Sequence, residues 1–147
     1  MGEVITRRSA VRQPPLSASV SFEGADMGDR MIASARDFAA DFLTAAPAAG
    51  GDPVSQERVD LARLVVSELV TNVVRHAPGP CRVLLEWFED ALDISVADRL
   101  AAAPVARPQD PQRIGQHGLE IVVAVCESVS VEPQPSGKRV RARLSLA

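Results

Sequence analysis

The chain of 147 residues contains no tyrosine, and aromatic residues make up only 3% of it. Bases of single-stranded nucleic acid stack on aromatic side chains, so this sequence offers few platforms for such binding. The net charge of -3 argues against a surface that is built as a whole for nucleic acid, although a local basic strip stays open. We therefore expect no direct nucleic-acid partner.

Cysteines, long apolar runs and several enzyme motifs are also scarce or missing. Cys81 and Cys126 lie in apolar segments without metal-ligand spacing, which predicts two reduced core residues. No run approaches the roughly 18 apolar residues of a membrane span, and the N-terminus lacks the apolar core of a signal peptide. A cytoplasmic protein without membrane contact is expected. A Walker-type phosphate loop, zinc spacing and a Ser-His-Asp order are absent, so those classes are set aside.

The length and the 46% share of apolar residues suit a single domain with its own core. Residues 1–15 carry three arginines and two prolines without an apolar period, which predicts a flexible basic N-terminal tail. Simple solvation is the favoured role for this tail. Residues 16–147 are expected to form the folded domain.

Apolar periodicity predicts an alternation of strands and helices. In chain order we expect a strand at 16–22, a helix at 26–45 capped by Asp26, a long helix opened by Asp52 or Ser55 and ended by residues 78–80, strands at 81–88 and 92–97, a loop at 99–113, a helix at 118–129, and strands at 129–132 and 139–146. Three prolines exclude a regular helix or a central strand from 99–113, which predicts a mobile loop. The order predicts an α+β fold, a two-layer sandwich of a mostly antiparallel sheet with helices on one face.

The most informative feature is a polar strip on the long helix. Glu68, Asn72 and His76 follow at intervals of four residues, so they share one helix face. Apolar residues cover most of the remaining circumference: Leu64, Val65, Val66, Leu69, Val70, Val73 and Val74. Burying an unpaired carboxylate is costly, so water, a ligand or a metal ion is expected against this strip. For Glu68 and Asn72 taken alone, the wet side of an amphipathic helix is an open alternative.

Two weaker features follow in the chain. Asp98 comes directly after a predicted strand, where a carboxylate at the mouth of an apolar pocket can select a ligand through a hydrogen bond. Gly115 and Gly118 flank a helix start, where glycine permits close backbone approach and free N–H groups attract anions. An ordinary turn aspartate and an ordinary loop before a helix are the alternatives.

Together and in this order, these features resemble the nucleotide-binding domain of the GHKL superfamily, known as the Bergerat fold. The resemblance covers roughly residues 20–146, and its most specific segment runs from Ser67 to Ala77. The last segment of the match is Gly115-Gln116-His117-Gly118-Leu119, where a lid ends and a helix begins over the phosphates. Within the superfamily the chain is most similar to the small bacterial anti-sigma factor serine kinases.

The resemblance implies binding of ATP with Mg²⁺. It implies that Asn72 coordinates Mg²⁺ through its side-chain oxygen and that Glu68 is the catalytic residue, as a general base or by positioning the attacking group. Mg²⁺ prefers hard oxygen ligands and keeps several waters, so one amide oxygen with phosphate oxygens is a plausible set. Asp98 would accept a hydrogen bond from the adenine amino group.

The other nucleotide contacts implied are the backbone of Gly115 and Gly118, with the adjoining Leu119, and the side chain of His76. For His76, an interaction with the helix dipole is an equal contender. Two positions depart from the family pattern: Leu100 stands where Gly or Ser is common, and Arg139 where many relatives have a threonine beside adenine.

The function implied is an ATP-dependent protein serine/threonine kinase that binds a sigma factor and phosphorylates a serine of an antagonist protein. The alternative is a nucleotide-responsive protein-binding module without phosphoryl transfer. A third interpretation, an α+β interaction domain without a nucleotide, is also kept. The sequence leaves open whether the chain forms a homodimer. It also leaves open whether the outward residues Arg139, Arg141 and Arg143 are a solvated basic edge or a docking site for an acidic partner.

Overall fold

A computed structural model describes residues 16–23, 28–45, 53–76, 79–98, 116–135 and 137–147, without the side chains of residues 116–118. The predicted tail at 1–15 and the predicted loop at 99–113 lie outside these ranges, as do Asp26 and Leu100. Among the described residues, no helix is both long and apolar enough to cross a bilayer.

The strands form one antiparallel sheet. They are β1 (Leu16–Phe22), β2 (Cys81–Phe88), β3 (Ala91–Asp98), β4 (Ser128–Gln134) and β5 (Gly137–Ser145), in the spatial order β1-β2-β3-β5-β4. The centre of the sheet is β3, which pairs with β2 on one side and β5 on the other. Its register places Cys81 opposite Asp98, so the start of β2 and the end of β3 meet at one end of the sheet.

The described helices are α1 (Asp29–Ala45), α2 (Gln56–His76) and α3 (Gln116–Val125). Contacts join α2 to both α1 and α3 and also to β3 and β5, so α2 is the central helix of its layer. The core between helices and sheet is aliphatic; its members at or below 1% exposure include Met31, Leu43, Val65, Val66, Leu69, Val70, Val83, Leu85, Leu92, Ile94, Val122 and Leu144. The α+β class and the two-layer arrangement predicted from the sequence are confirmed.

The strand predictions come close to the structure. The bounds of β1 and β2 agree with it, and β3 is longer than predicted by one residue at each end. β2 and β3 are joined by a two-residue hairpin turn, Glu89-Asp90, with Glu89 at a φ of 44°. The indole Nε1 of Trp87 donates to the carbonyl oxygen of Glu89 over 3.1 Å and stabilises this turn.

Several element bounds in the C-terminal third are wrong. The helix α3 begins at Gln116 rather than Gly118 and ends at Val125 rather than near Val129. The backbone N–H of Glu127 donates to the carbonyl oxygen of Arg143 over 2.8 Å, so the chain leaves the helix to pair with β5. Val123 of this helix is 59% exposed.

The β4–β5 hairpin is also tighter than predicted. The predicted strands at 129–132 and 139–146 leave residues 133–138 as the turn. In the structure, Pro133 pairs with Lys138 and Gln134 with Gly137. Proline cannot donate a backbone hydrogen bond, so it belongs on an edge strand, and β4 is an edge strand of this sheet.

The face of the sheet turned away from the helices is polar. Asp93 is only 5% exposed there, because Arg143 covers it with a two-bond fork: Nε donates to Oδ1 over 2.7 Å and Nη2 to Oδ2 over 3.1 Å. This carboxylate raises the pKa of Arg143 by hydrogen bonding and charge. Glu132 similarly pairs with Arg139 at 2.7 Å. Arg141 lies 3.8 Å from the same Glu132, so the three outward arginines share two acids of their own sheet.

The position of α2 predicts a contrast between two identical substitutions. Val66→Ala removes a fully buried side chain, so it should lower the free energy of unfolding by about 2 kcal/mol through lost burial and the remaining cavity. Val123→Ala, on an exposed surface of another helix, should change it by less than about 0.5 kcal/mol. Urea unfolding followed by circular dichroism measures both. Equal losses would contradict the placement of α2 at the centre of the core.

Candidate functional site

The polar strip predicted from the sequence lies on α2. The helix is capped by Ser55, whose Oγ accepts from the backbone N–H of Arg58 over 3.2 Å, and it runs unbroken for 21 residues. Glu68 and Asn72 are half-buried, while Leu69 and Val73 beside them are buried in the core. The strip therefore lies at the margin of the core.

Glu68 and Asn72, two of the three polar residues of the strip, have no side-chain hydrogen bond or ion pair among the residues that the structure describes. One helical turn, about 6 Å along the axis, separates the carboxylate from the amide. The two groups are therefore close enough to act on one ligand.

The predicted base-recognition residue Asp98 is the last residue of β3 and is 5% exposed. It alternates in phase with Ile94 and Val96, so it lies on the helix-facing side of the sheet. Its Oδ1 accepts a hydrogen bond from the backbone N–H of Lys138 over 3.3 Å. A nearly buried carboxylate with a backbone donor is a fixed acceptor, which suits recognition of a ligand donor group.

His76 occupies the last position of α2, near the Asp98 end of the sheet. Burial, followed by the charges of Lys138 and Arg75, lowers the pKa of the imidazole from its ordinary value of 6.5. Its Nε2 is buried and has no hydrogen-bond partner within the described part of the chain. Lys138 therefore acts on His76 through its charge, and its backbone N–H donates to Asp98. Burial and the nearby cations together favour the neutral imidazole.

Cys81 lies directly beside Asp98 across the β2–β3 ladder. Burial, assisted by the charge of Asp98, raises the pKa of its thiol to about 12. Burial likewise raises the pKa of Cys126 to about 11. Both cysteines are free thiols, as predicted, and neither is a nucleophile near neutral pH.

The other predicted contacts are less fully described. Gly115 lies outside the described residues, and for Gly118 the structure gives only its helical backbone in α3. Leu119 is partly buried and packs against the core. The side chain of Arg139 lies on the opposite face of the sheet, where it pairs with Glu132, so it does not enter the space beside Asp98.

A cleft of about 240 Å³ lies on that opposite face, lined by Asp93, Ser128, Ser130, Arg141 and Arg143. Asp93 and Asp98 lie on opposite sides of β3, so this cleft is separate from the strip on α2. Its Asp93 and Arg143 already neutralise each other. We therefore assign the candidate site to the helix-facing side.

A family model described as the histidine kinase-like ATPase domain matches residues 30–144 of the chain. The chain belongs to this family. A search of the curated proteins finds no match. The histidine kinase-like ATPase family is of GHKL type, so the superfamily predicted from the sequence is confirmed, and the protein has an ATP-binding domain. The matched residues include Glu68, Asn72, His76 and Asp98.

Sequence reasoning missed one contributor to the site, the backbone of Lys138. Its N–H reaches Asp98 across 40 positions of the chain. Lys138 is the only lysine in the sequence, yet neither composition nor periodicity indicates where its backbone points. The register of β5 against β3 decides that contact.

The environment of His76 predicts an unusually acidic titration. In a His117→Gln background that leaves one histidine, NMR should give a midpoint below 6.5 for His76. Lys138→Ala should raise the midpoint only part of the way to 6.5, because burial is the larger cause. Arg75→Ala should raise it less.

The sign of the linked stability follows from this shift. The folded state binds the proton more weakly than the unfolded chain, so the contribution of His76 is complete above pH 6.5 and is lost as the pH falls through the folded midpoint. A midpoint at or above 6.5 would contradict the buried, cation-flanked position of the ring.

Proposed function

We propose that this ATPase-family domain is a protein serine/threonine kinase that uses ATP with Mg²⁺. Its substrate would be a serine of an antagonist protein, and it would also bind a sigma factor or a similar regulator. The observation that carries the proposal is the placement of Glu68 and Asn72, half-buried and uncommitted, one turn apart on the central helix of an ATP-binding domain.

Nucleotide recognition is assigned to the Asp98 end of the site. The buried carboxylate would accept a hydrogen bond from the adenine amino group, and His76 would supply a further contact. Gly115 and Gly118, with Leu119, would face the phosphates at the start of α3. A helix N-terminus favours anions because its first N–H groups have no partner within the helix.

The metal requirement fits the side chains present. Among the described residues, no group of three or more His, Cys, Asp and Glu side chains could hold a metal ion by itself. Mg²⁺ does not need such a cage, since it binds through one or two protein oxygens, waters and substrate phosphates. Asn72 would supply the protein oxygen, and bound Mg²⁺ would neutralise phosphate charge.

Glu68 would orient the hydroxyl of the substrate serine and accept its proton. The serine oxygen forms a bond to the γ-phosphorus, the bond from that phosphorus to the bridging oxygen breaks, and ADP leaves with the electron pair. Phosphoryl transfer asks the protein mainly for positioning and charge neutralisation. Glu68 would meet the first requirement by positioning the hydroxyl, and Mg²⁺ held through Asn72 would meet the second by neutralising phosphate charge.

A nucleotide-responsive binding module without transfer is the second candidate. One observation favours it: Arg139, at the position where many relatives place a threonine beside adenine, lies on the far face of the sheet in an ion pair with Glu132. One base contact would then be missing. In this case ATP would change the affinity for a partner protein and no phosphate would be transferred.

Two substitutions on the same helix separate these functions. Glu68→Gln should preserve binding of ATP and reduce phosphate transfer to a copurified partner by about 100-fold or more, because a general base is lost. Glu57→Gln, in the exposed first turn of α2, should leave transfer unchanged. The measurement is labelled phosphate on the partner. Nucleotide binding without transfer by the unsubstituted protein would support the module instead.

The role of Asn72 predicts a metal-specific defect. Asn72→Ala should weaken ATP binding in Mg²⁺ to about the level seen for the unsubstituted protein with a chelator, because the protein ligand to the metal is gone. Calorimetric titration in Mg²⁺ and in chelator measures this. A defect of equal size under both conditions would place Asn72 away from the metal.

A further inference from the structure

Gly137 stands closer to Asp98 than any other side chain would allow. A Cβ built on Gly137 would overlap both Oδ1 and the backbone oxygen of Asp98. Its φ of 148° is also a conformation that residues with a side chain rarely adopt. The start of β5 can therefore close against the end of β3 only with glycine at this position.

This close approach sets the orientation of the Asp98 carboxylate. The neighbouring residue Lys138 donates its backbone N–H to Oδ1 over 3.3 Å, and on the other side Asp98 pairs with Cys81 in the β2–β3 ladder. A carboxylate has about four lone-pair directions, so a fixed backbone donor at one of them restricts the directions of the others. The close approach of Gly137 thus influences the direction from which Asp98 can accept a further hydrogen bond.

We propose that Gly137 is a positioning residue for base recognition. By admitting the Lys138 N–H to Oδ1, it aims the carboxylate at a donor on the purine and gives the site its preference for a 6-amino over a 6-oxo purine nucleotide. This inference rests on the proposed binding of the adenine by Asp98. In this proposal the selection depends on the backbone N–H of Lys138 and not on its side chain.

The test is the ratio of affinities for ADP and IDP in Mg²⁺, measured by calorimetry on the full chain. The two nucleotides differ at the 6-position of the purine, where an amino donor is replaced by an oxo acceptor. Gly137→Ala should lower the ADP/IDP affinity ratio by about ten-fold, equivalent to about 1.4 kcal/mol. Loss of both affinities in equal proportion would show a merely structural glycine and overturn the proposal.

Gly28→Ala is the matched control. Gly28 also has a positive φ, of 89°, but a Cβ there would meet nothing within 4 Å. Its substitution strains the backbone without touching Asp98. The ADP/IDP affinity ratio should therefore change by no more than about two-fold, which is well below the ten-fold change, or about 1.4 kcal/mol, expected for Gly137→Ala. A fall matching that of Gly137→Ala would attribute the effect to general strain and refute the inference.

Lys138→Ala keeps the inference testable if Gly137→Ala does not fold. This variant retains the backbone N–H and removes the side chain, so the ADP/IDP ratio should be preserved even if both affinities fall. A fall in the ADP/IDP affinity ratio would show that the lysine side chain makes the selection, and it would overturn the proposal. Failure of the unsubstituted protein to bind ADP or ATP would instead reject the proposed function, which separates the two conclusions.

Discussion

The fold and the site both depend on α2, because this helix packs in the core and also carries the polar strip. Most of its circumference is buried against α1, α3 and the sheet, yet Glu68 and Asn72 have to stay at the margin of that core. A carboxylate forced inside without a partner would be strongly destabilising, and one fully in water could not be held in a defined direction. The buried valines and leucines of the helix fix its rotation, and this rotation presents the acid and the amide together.

A second constraint meets the first at the end of the sheet. Asp98 is buried because β2 and β5 flank it on both sides, and the burial is tolerated because the Lys138 backbone donates to it. The C-terminus of α2 brings His76 to the same region, where burial and two cations favour a neutral ring. The helix thus carries polar side chains along one face, and the end of the sheet carries a nearly buried carboxylate.

Local patterns were sufficient for much of this structure. Alternation in Leu16–Phe22 and the four-residue spacing of Glu68, Asn72 and His76 are visible in the sequence, and they located a strand and the strip on α2. The end of α3 was misplaced because Cys126 and Val129 continue the helical spacing of Val122, so no local signal marks the change from helix to strand. The contact of Lys138 with Asp98 depends on a register between distant segments, which no local pattern reports. Whether Asn72 and Asp98 engage a nucleotide stays a prediction.

The position of Pro133 has a consequence for how this sheet meets other chains. Its strand, β4, forms one margin of the sheet, and β1 forms the other. A proline cannot offer an amide hydrogen to an incoming strand, whereas Leu16–Phe22 is free of proline. The two edge strands therefore differ in their ability to pair with an added strand. Extension of the sheet is favoured at β1, the edge strand that contains the serines.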